Sequence, residues 1–278
     1  MKDAVYFKIL QRRHRYRNPN ADTSLPSDFD YTAEEYESAR QYVAGLDKAK
    51  ISYCYPGHVC YPVVFMKMQE PPFFLEYIGD PYWMSRPMIS VVGAREIEDS
   101  TERWMNFHLS EFLKQEPDIC VVSGGARGVD QTAHVVALKE RNPTVIVLPT
   151  GLNQLYPTEL KQFRKLNAKA PLTFLSEFEN HQQIQRAHFY FRNRLIAALG
   201  GFTLVTQATL KSGSMLTVHH CLQNGKPVVT VPAHPEMAGF SGNIKLLQEG
   251  AYIISGFNDL LDFWRAESRT NQTKVLFP

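Results

Sequence analysis

The feature that most limits how this chain can fold is a rhythm that begins at Met88. Seven short apolar runs follow one another: MISVV, ICVV, TVIVL, LTFL, FTLVT, PVVTV and AYII. None contains a charged residue, and helical patterns separate most of them. Runs this apolar are strands buried on both faces, and strands alternating with helices are βαβ units. The expectation is an α/β protein with a mostly parallel sheet and helices on both faces. One helix follows Asp99, with Glu102 completing a capping box and Trp104, Met105, Leu109, Phe112 and Leu113 on one face. Others are expected to start near Asp130, Pro157, Phe191, Ser214 and Gly242.

The flanks read differently. Residues 1–30 are basic early, at Arg12, Arg13, Arg15 and Arg17, and polar later. A solvated or frayed terminus is expected there, with a binding arm as the alternative. Thr32 and Glu35 form a capping box, and Tyr36, Ala39, Val43 and Leu46 follow at helical spacing to about Asp47. Ile51 to Trp83 is rich in Pro and aromatics and reads as a covering layer with short strands. Gly256 to Pro278 allows one amphipathic helix carrying Leu260, Leu261, Phe263 and Trp264. The expected organisation is a small N-terminal helical and strand annex over 1–85, a core over 86–256 and a C-terminal helix and tail over 257–278.

Composition narrows the class. A chain of 278 residues, 44% apolar and 21% charged, can bury one sizeable core. No apolar run is long enough to span a membrane, and the start lacks a secretory h-region. The four cysteines are scattered and form no CxxC, which fits a reducing cytoplasm. Cys54, His58 and Cys60 lack a second ligand pair, so no metal site is expected. Net charge is only +2, so any polyanion must be held by locally placed cations.

In an open α/β sheet, ligands sit beyond the carboxyl ends of the strands. Several such ends here are equipped for anions. VVGAR places Gly93 and Arg95 after a strand. VVSGGARGVDQTAH combines Gly124, Gly125 and Gly128 with Arg127 at a strand-to-helix turn. Glycines let backbone approach a ligand, and a guanidinium suits phosphate. The spacing is neither the dinucleotide fingerprint nor a Walker loop. Phosphate binding and a structural tight turn both remain open for it, and Asp130 is most simply a first-turn acid. LPTGLNQLYP carries Gly151, Pro157 and Tyr156, whose ring can stack. FRNR brings Arg192, Asn193 and Arg194, and LKSGSMLT brings Lys211, Ser212, Gly213 and Ser214. Solvated arginines and simple helix caps explain these last two equally well. His134 reads as structural, and of His219 and His220 one is expected buried and the other exposed.

Taken in order, SGGARGVDQTAHVVAL, VLPTGLNQLYP, FRNRLIAAL, LKSGSMLTVHH and GNIKLLQEGA resemble the DNA-processing protein A (DprA, or Smf) family. The upstream stretch KAKISYCYPGHVCYPVVFMKMQEPPFFLEYIGD resembles the segment leading into that family's core, so the likeness covers about Thr32 to Ile254. The resemblance implies an extended Rossmann-like fold that binds single-stranded DNA. It also implies protection of incoming DNA in natural transformation and loading of the RecA recombinase, by a cytoplasmic homodimer that needs no cofactor or metal and is not an enzyme. Carried onto this chain, the DNA-contacting positions are Arg127, Arg192 and Lys211. Around them stand Arg95, Ser123, Gly124, Gly125, Gly128, Asn193, Ser212, Gly213 and Ser214. Tyr156, Phe189 or Tyr190 would supply stacking.

The chain departs from the pattern in places. It has Gly93-Ala94-Arg95 where the family often has GSR, Gln207-Ala208 for Glu-Ala, and Pro232-Ala233 for Pro-Gly. Two other classes use similar loops: a nucleotide phosphoribohydrolase and a nucleotide-binding sensor. The first needs a carboxylate near its second glycine loop, and Leu210 to Leu222 contains none.

Overall fold

The computed structural model describes residues 2–13 and 30–276. Among the described residues nine strands form one sheet in the order β1-β2-β6-β5-β4-β3-β7-β8-β9. In chain order these are β1 (Ser52–Cys54), β2 (Leu75–Ile78), β3 (Met88–Val92), β4 (Cys120–Ser123), β5 (Thr144–Leu148), β6 (Leu172–Ser176), β7 (Thr203–Val205), β8 (Val228–Thr230) and β9 (Tyr252–Ile253). The run from β6 to β9 is parallel throughout, and β1 and β2 extend it antiparallel beyond β6. The Pro- and aromatic-rich stretch thus adds strands to the sheet edge as well as covering it.

The apolar runs form strands because helices seal both faces. On one face Met88, Val92, Val122, Val145, Val147 and Val205 pack against α7 (Arg186–Leu199) and α8 (Ser214–Gln223). The alternate residues Ile89, Val91, Val121, Leu204 and Val229 face the other way. They meet α5 (Val129–Lys139), α10 (Phe257–Leu276) and the helical stretch over α3 (Asp99–Trp104) and α4 (Ser110–Gln115). Farther along the sheet, Ile146, Leu148 and Phe174 pack under α1 (Lys2–Arg13), α2 (Ala33–Lys48) and α6 (Leu160–Leu166). Each fully buried aliphatic side chain contributes about 1.5–3 kcal/mol. That burial is why short β-branched runs hold their places without hairpins. Among the described residues no helix is long and apolar enough to cross a membrane.

Several local expectations are corrected. Residues 2–13 are an ordered helix, not a frayed end. Ala4, Val5, Phe7, Ile9 and Leu10 bury an apolar stripe. Its cations find carboxylates from distant segments: Lys8 to Glu76 at 2.9 Å, Arg12 to Glu179 at 2.6 Å and Arg13 to Glu35 at 2.5 Å. The Lys8–Glu76 pair is fully buried, and Tyr42 donates a further hydrogen bond to Glu76. Arg15 and Arg17 lie outside the described residues. The helix after Asp99 starts from Glu98 with no side-chain cap, so its expected capping box does not form. It also passes through a π-helical segment, Met105–Leu109, before α4. The Thr32–Glu35 box does form. α7 begins at Arg186, so FRNR lies inside a helix and not at its start.

Candidate nucleic-acid interface

β3 sits at the topological switch of the sheet, with β4 on one side and β7 on the other. The loops after β3 and β7 lead away from each other and leave a crevice at the carboxyl edge. A cleft of about 600 Å³ occupies it, lined among others by Gly93, Arg95, Arg192, Gln207, Ser212 and Ser214. A neighbouring cleft of about 320 Å³ is lined by Arg127, Tyr156, Glu159 and Phe189. Arg95, Phe189 and Arg192 border both, so the two form one path along the edge.

The glycine loop is shaped by close packing. Gly128 has φ +74°, and a Cβ there would meet the Ala94 carbonyl oxygen at 2.4 Å. Val129 N–H donates to that same carbonyl, which locks the loop after β4 onto VVGAR. Gly124 has a different role. A Cβ there would lie 1.4 Å from Arg192 Nη1, so its missing side chain is the space that the guanidinium fills. The Asp130 carboxylate accepts the N–H groups of Gly124 and Ala126, both at 3.2 Å, and stands 3.9 Å from Arg192 Nη1. The loop amides that a phosphate would use are therefore engaged by the chain's own carboxylate.

Burial works against both charges of this pair. It raises the Asp130 carboxyl above its usual range, against the pull of Arg192 and the two amides. It lowers Arg192 to about 10, against the pull of Asp130, so the guanidinium stays charged at neutral pH. Arg192 Nε is buried without a hydrogen-bond partner, at the wall of both clefts.

The remaining residues divide by exposure. Arg95, Arg127 and Lys211 are exposed. Arg127 pairs with Glu159, with Nη2 at 2.6 Å and Nε at 2.8 Å from Oε1. Arg95 and Arg192 both lie over the Phe189 ring, at 5.4 Å and 5.8 Å from its centroid, and Tyr156 meets that ring edge-on. Ser212 and Ser214 share a 2.5 Å hydrogen bond at the start of α8, and Asn193 donates to the Gly213 carbonyl. Ser123 is buried and donates to Val91 O, tying β4 to β3. Gly125, with φ +67°, packs on Ile146 and Leu160.

Several candidate residues lie outside the two clefts. Arg194 turns away to a 2.5 Å ion pair with Glu177. Tyr190 packs on His220. His134 is buried against Thr144 Oγ1 at 2.7 Å, and of the histidine pair His220 is buried and His219 exposed. Among the described residues no set of three or more His, Cys, Asp or Glu gathers to hold a metal. Sequence reasoning missed Glu159 and the cation–aromatic stack on Phe189. Neither has a local signal, because the partners come from different loops.

Comparison with known proteins places this architecture. The family model for DNA recombination-mediator protein A matches residues 52–265. DNA processing protein DprA of Streptococcus pneumoniae is 30% identical over 202 residues, 73% of this chain and 70% of that protein. The Bacillus subtilis protein of that name is 32% identical over 203 residues, 73% of this chain and 67% of the relative. Protein Smf of Synechocystis is 32% identical over 211 residues, but the match spans only 52% of its length. Among solved structures, the pneumococcal protein superposes with a TM-score of 0.74 at 27% identity, covering 94% of this chain and 92% of that one. DNA processing protein A from Helicobacter pylori, solved for its single-stranded DNA binding mode, gives 0.69 at 26% identity over 78% of this chain and 97% of that one. With its extended Rossmann-like sheet and most of its length matched, this chain belongs to the DNA recombination-mediator protein A (DprA/Smf) family.

Proposed function

We propose that this protein binds single-stranded DNA along the carboxyl edge of its sheet, without catalysis of its own. The observation that carries the reading is the single path on which Arg95, Arg127 and Arg192 meet Phe189 and Tyr156. Cations beside aromatic rings suit a flexible strand whose phosphates and base faces are both exposed. The DNA-binding unit is the core over 86–256. Arg95, Arg127 and Lys211 contact phosphates from exposed positions. Arg192 lines the path with a fixed charge. Gly213, Ser212 and Ser214 offer a hydroxyl-rich helix start, where added atoms at Gly213 meet open space. Gly124, Gly125, Gly128, Ser123 and Asn193 act as positioning residues that hold these groups in register.

The role that follows is protection of incoming DNA in natural transformation and delivery of RecA to it, by a cytoplasmic homodimer. The edge strand β9 is only two residues long and is a poor template for pairing, so the homodimer rests on the likeness to the family and not on this edge. A hydrolase reading has little to work with: Leu210 to Leu222 holds no carboxylate, Asp130 is buried beside Arg192 and Glu159 is bound to Arg127, which leaves Glu96 as the exposed acid of the clefts.

Fluorescence anisotropy of a labelled 20-nucleotide poly-dT, run beside the matching duplex, tests the reading. Tight, salt-sensitive binding of the strand with much weaker binding of the duplex is expected. Absence of strand binding at low salt by folded protein refutes it. Faster RecA assembly on protein-coated strands tests the loading role, and release of free base from nucleoside monophosphates would point to an enzyme instead.

A further inference from the structure

We infer that Glu159 is a built-in competitor for the phosphate site on Arg127. The inference rests on the DNA-binding reading above. Glu159 Oε1 lies 2.6 Å from Nη2 and 2.8 Å from Nε of Arg127. Those two nitrogens form one edge of the guanidinium, an edge that also suits a phosphate oxygen pair. In the free protein a carboxylate oxygen stands where a phosphate oxygen would bind.

Two observations separate this contact from an ordinary structural ion pair. The first is exposure. The Arg127 and Glu159 side chains are 68% and 36% exposed, so a ligand can reach the pair and water can receive the released carboxylate. Asp130, another acid beside the path, is buried and engaged by two amides, so it cannot leave, whereas exposed Glu96 also lines both clefts. The second is origin. Glu159 precedes α6 and Arg127 belongs to the loop after β4, and both line the same cleft with Tyr156. The pair therefore bridges two walls of the proposed DNA path, and a strand entering there meets it directly.

A ligand that takes this edge of Arg127 must displace Glu159, and the loss in binding constant is the same factor for each. Its effect on occupancy falls on weak binders. A strand held at Arg95, Arg127 and Lys211 together stays bound, whereas a single free phosphate with only Arg127 does not. Glu159 thus lowers the affinity of every anion that uses this edge of Arg127, and a ligand with further contacts along the path tolerates that loss best.

Binding of labelled dT20 to the parent, Glu159→Gln, Arg127→Ala and the double variant tests this. An exposed pair of this kind contributes about 0.2–1 kcal/mol, so Glu159→Gln should tighten binding about 1.4- to fivefold. The gain should vanish in the Arg127→Ala background. Parent binding with no gain in Glu159→Gln overturns the inference alone. So does an equal gain in the Arg127→Ala background, which marks a general field effect, or a loss of affinity, which marks Glu159 as a support for Arg127. Failure of the parent to bind dT20 overturns the DNA reading and the inference together. Matching thermal melts establish that all four proteins are folded.

Discussion

Gly124→Ala probes the centre of the site with one methyl group. The added carbon would lie 1.4 Å from Arg192 Nη1, 2.2 Å from Cζ and 2.7 Å from Nη2. No small rotation clears three atoms of one planar group, so the guanidinium must leave its seat. Asp130 then keeps its two amide hydrogen bonds but loses the Arg192 cation beside it. Breaking a buried ion pair from one side costs about 3–5 kcal/mol. Part of that is recovered because Arg192 is long and can swing toward the cleft, so about 3 kcal/mol is expected. For a chain of this size that lowers Tm by roughly 5–6 °C. Chemical denaturation read by circular dichroism measures it. Gly213→Ala is the control: a Cβ there meets nothing within 4 Å, and stability should stay within about 0.5 kcal/mol of the parent. In an Asp130→Asn background the ion pair is already gone, so Gly124→Ala should cost at least about 1 kcal/mol less. If Gly124→Ala matches the parent within about 0.5 kcal/mol, the assigned packing of Arg192 is wrong.

Other outcomes follow from the same structure. Lys8→Met leaves Glu76 buried without its cation and should destabilise the protein by about 3–5 kcal/mol, measured by urea unfolding. Lys8→Met combined with Glu76→Leu should restore much of that loss, because a packed apolar pair avoids the burial of charge. His134 is buried, and burial holds its imidazole down to about 3, with the Arg192 charge adding to the effect. Its folded pKa lies below the unfolded value, so its contribution is complete above pH of about 6.5 and falls as pH drops toward 3. The slope is about 1.4 kcal/mol per pH unit in that window, and His134→Gln should remove one proton's share of it in a pH series of unfolding midpoints. An unchanged acid limb in that variant would contradict a buried neutral imidazole.

The strands were legible because a doubly buried strand excludes charge, and residue alternation then decides which helix layer each side chain meets. Val91 and Val92 fall to opposite faces by that rule alone. α2 was legible from its capping box. α1 was not, although its apolar stripe was present, because four arginines dominated the reading. The carboxylate partners of Arg12 and Arg13, Glu179 and Glu35, are far along the chain or in another element. The start of α7 was hidden because Gln185 gives it no side-chain cap. At the site, sequence position identified the strand ends that carry Arg95, Arg127 and Ser212. It did not reveal that Gly124 makes room for Arg192, or that Asp130 fills the amide nest. Both facts depend on a helix from the far half of the sheet reaching across β3. A glycine motif therefore signalled close approach correctly, and only the fold disclosed what approaches.

The central claim is that exposed cations on this one edge hold a strand by its phosphates. The most direct measurement is the salt dependence of dT20 anisotropy for the parent and for Arg95→Ala/Arg127→Ala/Lys211→Ala together. Each phosphate neutralised contributes about 0.7 to the slope of log K against log salt on a single strand. Three lost contacts should reduce the slope by about 2, with the variant still folded. A parent and triple variant with equal slopes and equal affinity would place the DNA elsewhere on the molecule.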